Sequence, residues 1–287
     1  MIIVTGANGK LGRAIVEDLL ELVPAEQIGV SVQDPEKARD LEQRGIRVRR
    51  GDYEDAASLA HAFEGATQVL VVSAPRSGEL AVRLNRTAID AAKAAGAQRI
   101  LYTSHMGSNP ASHFPPMRTH AATEEALRES GVPFTSLHNG FYASSGVMFL
   151  GNAVETGELI APEDGPVAWT AHTDLARVAA VTLAKGDLDD ITPALTGSET
   201  LDLAGIAAIA SEVTGRPIRR IVVSDDEFRS RLVAGGAPQI AIEMQMGMYA
   251  ASRQREFAKI DPTLARLIGR PPTTMRDVLK ATLQTGK

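Results

Sequence analysis

The 287-residue sequence contains no cysteine. That absence excludes disulfides, thiol catalysis and cysteine-based metal sites. No apolar run approaches the length that crosses a bilayer, and the N-terminus reads as the start of a strand, not as a signal peptide. The cytoplasm is therefore the expected compartment, with no membrane partner. No cluster of Lys and Arg is long enough to suggest a nucleic-acid partner, and the formal net charge is −5. The densest basic group, Arg44, Arg47, Arg49 and Arg50, alternates with Ile46 and Val48 and reads as one face of a strand. His113 and His172 lie in loops with no ligand spacing to a carboxylate or another histidine, so no metal site is expected. There is no internal repeat and no low-complexity linker. What is present is 44% hydrophobic and 23% charged residues, the proportions of an ordinary soluble globular protein. The length holds one large α/β domain, or one domain with a smaller lobe.

The first fifteen residues organise the rest. A β-branched run, Ile2, Ile3 and Val4, is followed at once by Gly6, Gly9 and Gly12, and then by Leu11, Ile15, Val16, Leu19 and Leu20 at helical spacing. That is strand, glycine turn, helix. The first backbone N–H groups of such a helix have no internal partner, and its dipole is positive at that end. A pyrophosphate fits there if no Cβ stands in its way. Gly6, Asn8, Gly9, Lys10, Leu11 and Gly12 are therefore expected at the diphosphate of a dinucleotide. The spacing Gly-x-x-Gly-x-x-Gly resembles the short-chain dehydrogenase/reductase superfamily, especially its extended and atypical members.

Strand and helix signals alternate through the first half. Strands are expected at 28–32, 46–50, 68–72, 99–103 and 133–137, with helices at 37–43, 55–63, 79–95 and about 121–130. Repeated strand–helix–strand units imply a parallel sheet with helices on both faces. The expected class is α/β: a Rossmann-type doubly wound parallel sheet with a smaller C-terminal α+β substrate lobe. Residues 1–138 form the expected NAD(P)-binding domain, with later strands returning to the sheet, and residues 139–287 the substrate lobe. In the second half, 167–170 reads as a strand, 173–183 and 202–214 as helices, and 221–223 as a short strand. Met244, Met246 and Met248 form a row that reads as core or lid, or as a soft wall for a flat apolar substrate.

Ligands of such sheets bind beyond the carboxyl ends of the strands, which selects the loops at 6–12, 33–37, 51–53, 73–77, 104–118 and 138–142. Asp52 could accept from an adenine amino group with Tyr53 flanking the ring, or Asp52 could simply initiate a turn. Ser73, Ala74 and Pro75 are small enough to let the backbone run along a nicotinamide ribose. The loop after the second strand chooses the cofactor, since a ribose 2′-OH favours an acid and a 2′-phosphate favours Arg or Lys. Gln33 and Asp34 stand there, with Lys37 and Arg39 behind and Arg13 across the turn. The balance leans slightly to NADH over NADPH, and either is admitted.

Thr103 and Ser104 end the fifth strand, where short-chain reductases place the serine that hydrogen-bonds the reacting carbonyl. Most of that superfamily then carries Tyr-x-x-x-Lys, and no such pair follows here. His120-Ala121-Ala122-Thr123-Glu124-Glu125 stands at that distance instead. Taken together, Gly6 to Gly12, Gly51-Asp52-Tyr53, the run 91–96, Tyr102-Thr103-Ser104, His120-x-x-Thr123-Glu124, Asn139-Gly140-x-Tyr142 and the run 267–271 resemble the NmrA-like atypical short-chain reductases over essentially the whole chain. The resemblance implies direct hydride transfer to a quinone or cationic dye. Two positions depart from it: Gln33-Asp34 replaces Arg-Asn, and His138 replaces an Arg.

Such acceptors are electron-poor enough to take hydride directly, so positioning carries much of the catalysis. A proton for the product could come from water, His120, His105 or Tyr142. The resemblance favours His120, which otherwise caps the start of a helix or faces solvent. The expected catalytic set is His120, Ser104 and Tyr142, and the expected substrate contacts are His105, Phe114, Asn139, Phe141 and Tyr142. Phe114, Phe141, Tyr142 and Phe149 read as an aromatic wall or as ordinary core. Asn139 holds a quinone oxygen or ties down its own turn. The partner is then a small aromatic or conjugated acceptor, and the chain a monomer or homodimer. A cofactor-binding sensor without chemistry, and an enone or imine reductase, remain as alternatives.

Overall fold

The computed structural model describes residues 1–186 and 188–284. β1 (Ile2–Thr5) consists of four β-branched residues, all buried, and leads through the glycine turn into α1 (Lys10–Leu20). There follow β2 (Ile28–Val32), α2 (Arg39–Gln43), β3 (Arg47–Arg50), α3 (Ala56–Ala62), β4 (Gln68–Val71), α4 (Gly78–Ala94), β5 (Arg99–His105), α5 (Pro115–Ser130) and β6 (Phe134–Asn139). The second half holds β7 (Phe141–Tyr142), α6 (Ala143–Phe149), α7 (Ala153–Thr156), β8 (Glu158–Pro162), β9 (Trp169–Thr170), α8 (His172–Lys185) and β10 (Asp190–Ile191). α9 (Leu203–Thr214), β11 (Arg219–Val223), α10 (Asp225–Ala234), α11 (Gln239–Arg253), α12 (Thr263–Ile268) and α13 (Met275–Gln284) complete it.

Seven strands form one parallel sheet in the order β10-β6-β5-β4-β1-β2-β3. Alternation of side chains along each strand divides the core in two. Ile2, Val4, Val30, Leu70, Leu101 and Leu137 point to one face, under Ile15 and Leu19 of α1 and Leu175 and Val178 of α8. Ile3, Val69, Val71, Ile100 and Tyr102 point to the other, under α3, α4 and α5. α8 and β10 thus return to the sheet from the second half, and the chain passes residue 138 before its first core is complete. A separate core, with Phe141, Trp169, Ile206, Met248, Tyr249, Phe257 and Leu279, joins α6, α9, α11 and α13.

Several elements differ from expectation. α5 starts at Pro115, six residues before the expected helix start near residue 121, because Pro115 and Pro116 occupy its first turn, where a missing N–H costs nothing. His120 therefore lies inside the helix. β5 and β6 each run two residues past their expected ends, which pairs Ser104 with His138 and His105 with Asn139. β8, not expected, pairs with β11 in a small parallel sheet. Met246 and Met248 are buried, and Met248 belongs to the second core.

Candidate functional site

The glycine turn comes first. Gly6 has φ +64°, a left-handed conformation that L side chains rarely adopt. Its N–H donates to the Ser31 carbonyl at 3.0 Å, which ties the turn to β2. A Cβ on Gly12 would stand 2.5 Å from the Gly6 carbonyl oxygen, so α1 can lie this close only with glycine there. Gly9 caps α1 without a side-chain hydrogen bond, and the first intrahelical bond runs from Arg13 N–H to Gly9 C=O at 2.9 Å. The amides of Lys10, Leu11 and Gly12 are the orphan donors of that helix end. Asn8 Nδ2 donates to the Asp34 carbonyl at 2.8 Å, closing the turn against the loop after β2. An anionic diphosphate fits this cradle.

Around the loop after β2, the cations already have partners. Arg13 bonds Glu17 at 3.0 Å and also Asp40, Arg39 bonds Glu36, and Lys37 stands 3.4 Å from Asp34. Gln33 is exposed. Asp52 accepts from the Glu54 N–H at 3.0 Å, as a turn-initiating residue does. The Tyr53 hydroxyl donates to the Val72 carbonyl at 2.8 Å and lies 2.6 Å from Thr5 Oγ1; burial pushes its phenol up. Beyond β4, Ser73 N–H donates to Thr103 Oγ1 and Ala74 N–H to Asn85 Oδ1, each at 2.9 Å, and Pro75 is exposed.

At the end of β5 two histidine rings lie near one another, with centroids 6.3 Å apart and planes 24° apart. They are His105 and His120. His105 Nδ1 accepts from the Gly107 N–H at 3.1 Å, and its ring meets the edges of Phe141 and Phe257. His120 Nδ1 lies 2.9 Å from the Tyr102 hydroxyl, and Asn85 Nδ2 reaches that same oxygen at 3.3 Å. Burial pushes His120 down to about 4, and holds His105 well below the usual imidazole range. Burial also pushes the Tyr102 phenol up.

Glu124, one turn along α5 from His120, is 5% exposed and collects four donors. Oε1 accepts from Ser104 Oγ at 2.6 Å, Ser136 Oγ at 2.8 Å and His138 Nε2 at 2.8 Å, and Oε2 from Ser108 Oγ at 2.9 Å. Burial alone would push this carboxyl up, but the bonds from His138, Ser104 and Ser136 outweigh it and hold it at about 2. The Ser104 hydroxyl is thereby committed to Glu124. Tyr142 is hydrogen-bonded to Asn139 at the end of β6, and its ring centroid is 4.2 Å from that of His172. Burial pushes Tyr142 up to about 12 and His172 down to about 4, the latter helped by the nearby Lys10 charge. Tyr142 thus stands between His172 and the ends of β5 and β6.

Phe114 and Phe141 are stacked at 5.8 Å inside the second core, and Phe149 packs on Trp169 and Tyr249. Asn139 is buried with its Oδ1 unpartnered among the described residues. No three His, Cys, Asp or Glu side chains among the described residues are grouped for a metal ion, and no described helix is long and apolar enough to cross a membrane. Ser104 was expected in the site, but Asn85, Tyr102 and Glu124 were not. Their role depends on which side chains meet across β5, α4 and α5, and sequence spacing alone does not report that.

A family model described as NAD(P)H-binding matches residues 6–186. Quinone oxidoreductase 2 of Escherichia coli is 33% identical over 280 residues, covering 96% of each chain. An NmrA-like family domain-containing oxidoreductase of Aspergillus flavus is 30% identical over 289 residues, covering 98% of this chain and 94% of that one. Among solved structures, Citrobacter sp. triphenylmethane reductase complexed with NADP(H) superposes with a TM-score of 0.90 at 32% identity, covering 98% of this chain and 99% of that one.

Proposed function

Because this chain belongs to the NmrA-like family of NAD(P)H-binding oxidoreductases, we propose that it reduces quinones or similarly electron-poor conjugated acceptors by direct hydride transfer. A reduced nicotinamide held at this site would supply hydride, a proton with two electrons, and one solvent proton would complete the hydroquinone. One observation carries the reading. Four buried side chains around the end of β5 are pushed away from neutrality: His105 and His120 down, Tyr102 up, Glu124 down. General acid catalysis works best with a group whose pKa lies near the operating pH; the two histidines have moved from that range, and Tyr102 and Glu124 have moved further from it. A simple ketone, whose reduction generates a basic alkoxide, is poorly served here. A quinone is served well, because its reduced anion is weakly basic and solvent can protonate it.

The amides of Lys10, Leu11 and Gly12 would hold the diphosphate, and the backbone at Ser73 and Ala74 the nicotinamide ribose. Holding acceptor and cofactor in register supplies roughly 7–11 kcal/mol of barrier lowering where alignment is good. Asp34 and the carboxylate-paired Arg13, Lys37 and Arg39 favour NADH over NADPH, since a 2′-phosphate would have to displace existing partners. The test is absorbance of the reduced cofactor with a benzoquinone and, separately, with a simple aliphatic ketone. Turnover of the quinone alone is expected. Cofactor binding with no turnover over quinones, dyes and enals would instead identify a sensor.

A further inference from the structure

We propose that Tyr102 and Asn85 are positioning residues that fix His120 with its proton on Nε2, so that an acceptor at the end of β5 meets two neutral N–H donors, His120 and His105. The direction of each hydrogen bond follows from the chain of partners. Ala74 N–H can only donate, so the atom it reaches at 2.9 Å is the Asn85 oxygen, which fixes the orientation of the amide. Asn85 Nδ2 then has two hydrogens to give. Thr123 Oγ1 donates to the Thr119 carbonyl at 2.9 Å, and so accepts one of them at 3.2 Å. The other goes to the Tyr102 oxygen at 3.3 Å. Thr123 Oγ1 also stands beside the phenol, but it already takes a hydrogen from Asn85, so the Tyr102 hydrogen goes to His120 Nδ1, 2.9 Å away. A neutral imidazole whose Nδ1 accepts carries its proton on Nε2.

His105 reaches the same state by a simpler route, because its Nδ1 accepts from the Gly107 N–H. Neither Nε2 has a hydrogen-bond partner among the described residues, so each has a hydrogen left to give. The two rings lie near one another, with 6.3 Å between centroids. Together they offer donors without charge and without an acceptor.

On the quinone reading above, the two donors select among substrate classes. Carbonyl oxygens satisfy both donors. A triarylmethyl cation without oxygen leaves them unpaired, and a site built to hydrogen-bond a substrate discriminates against one that cannot answer.

The experiment is long-range 1H–15N correlation spectroscopy of protein labelled at histidine, with the His120 signals assigned by their loss in His120→Gln. In the unaltered chain His120 is expected in the Nε2–H form at neutral pH. Asn85→Asp keeps the shape and the bond from Ala74 but has no hydrogen to give Tyr102. The phenol then donates to the new carboxylate, and His120 is expected to move to the Nδ1–H form. Tyr102→Phe is expected to leave both forms populated. In kinetics, at saturating cofactor, Asn85→Asp should lower kcat for a benzoquinone about 10²-fold, with a much smaller loss for a triarylmethyl cation. An Nδ1–H form in the unaltered protein, or a tautomer indifferent to both substitutions, overturns the proposal. So does a loss shared equally by quinone and cation, the mark of a merely structural role. The spectra need no turnover. An Nε2–H His120 in a chain that reduces no quinone would therefore sink the functional reading and leave the positioning role standing.

Discussion

At the scale of single residues, the site is a set of groups that burial and hydrogen bonding hold in one protonation state. His120 is the most exposed to test. We predict that His120→Ala lowers kcat for quinone reduction by about 10²-fold, the usual loss for one stabilising donor, and leaves cofactor affinity within twofold by calorimetry. Unchanged turnover would make His120 structural. Protonation also links the site to stability. His120 and His172 have folded values near 4, below the usual 6.5, so the unfolded chain binds more protons between those values. Their contribution is complete above about pH 6.5 and shrinks as pH falls towards 4, at about 1.4 kcal/mol per pH unit for each histidine. Glu124, held at about 2 against 4.5, adds a second window: its contribution is complete above 4.5 and lost as pH falls through 2. Urea titrations should show midpoints falling from pH 7 to pH 4. Glu124→Gln should lower stability at pH 7 and flatten the acid limb below pH 4.5; the same slope in both proteins would contradict this assignment. Glu124 was visible in the sequence only as part of a motif. Its four donors come from β5, β6 and the loop after β5, and no local spacing links them.

At the scale of elements, β1 and α1 were legible because a β-branched run, a glycine turn and an apolar helical stripe agree with one another. The start of α5 was not. Pro115, Pro116 and Arg118 carry no apolar period, and a proline pair reads as a loop until one sees it filling the first helical turn. His120 consequently falls inside the helix and not at its start. β8 was missed for a related reason: Glu158 to Pro162 is short, ends in proline and pairs only with a strand 61 residues on. α10 buries none of its residues, so it had no apolar pattern to read. The glycine turn offers the clearest element-scale test. Gly12→Ala sets a methyl 2.5 Å from a backbone carbonyl that no rotamer can move. We predict a fall of tenfold or more in affinity for the reduced cofactor, measured by fluorescence titration, with the far-UV circular dichroism unchanged. Unaltered affinity would mean that the diphosphate is held elsewhere.

At the scale of the whole molecule, the sheet and the return of a later strand to it were legible, and the packing of α8 beside α1 on one face was not. The seven-strand order places the ends of β1, β2, β4, β5 and β6 along one edge, and α8 and β10 return there after the second core has begun. Ligand bound at that edge should therefore stabilise the whole chain, by about 2.7 kcal/mol at a hundredfold excess over Kd. We predict that NADH raises the thermal midpoint more than NADPH at equal concentration, in keeping with the paired cations around Asp34. A larger shift with NADPH would reverse that preference.

The account turns on hydride passing to the acceptor without a protein acid, and isotope effects on quinone reduction test this most directly. Deuterium at nicotinamide C4 should slow single-turnover oxidation of the cofactor, whereas deuterated solvent should leave it unchanged, at a rate constant flat from pH 6.5 to 9. A solvent isotope effect on that step, with a titration near neutrality, would contradict it.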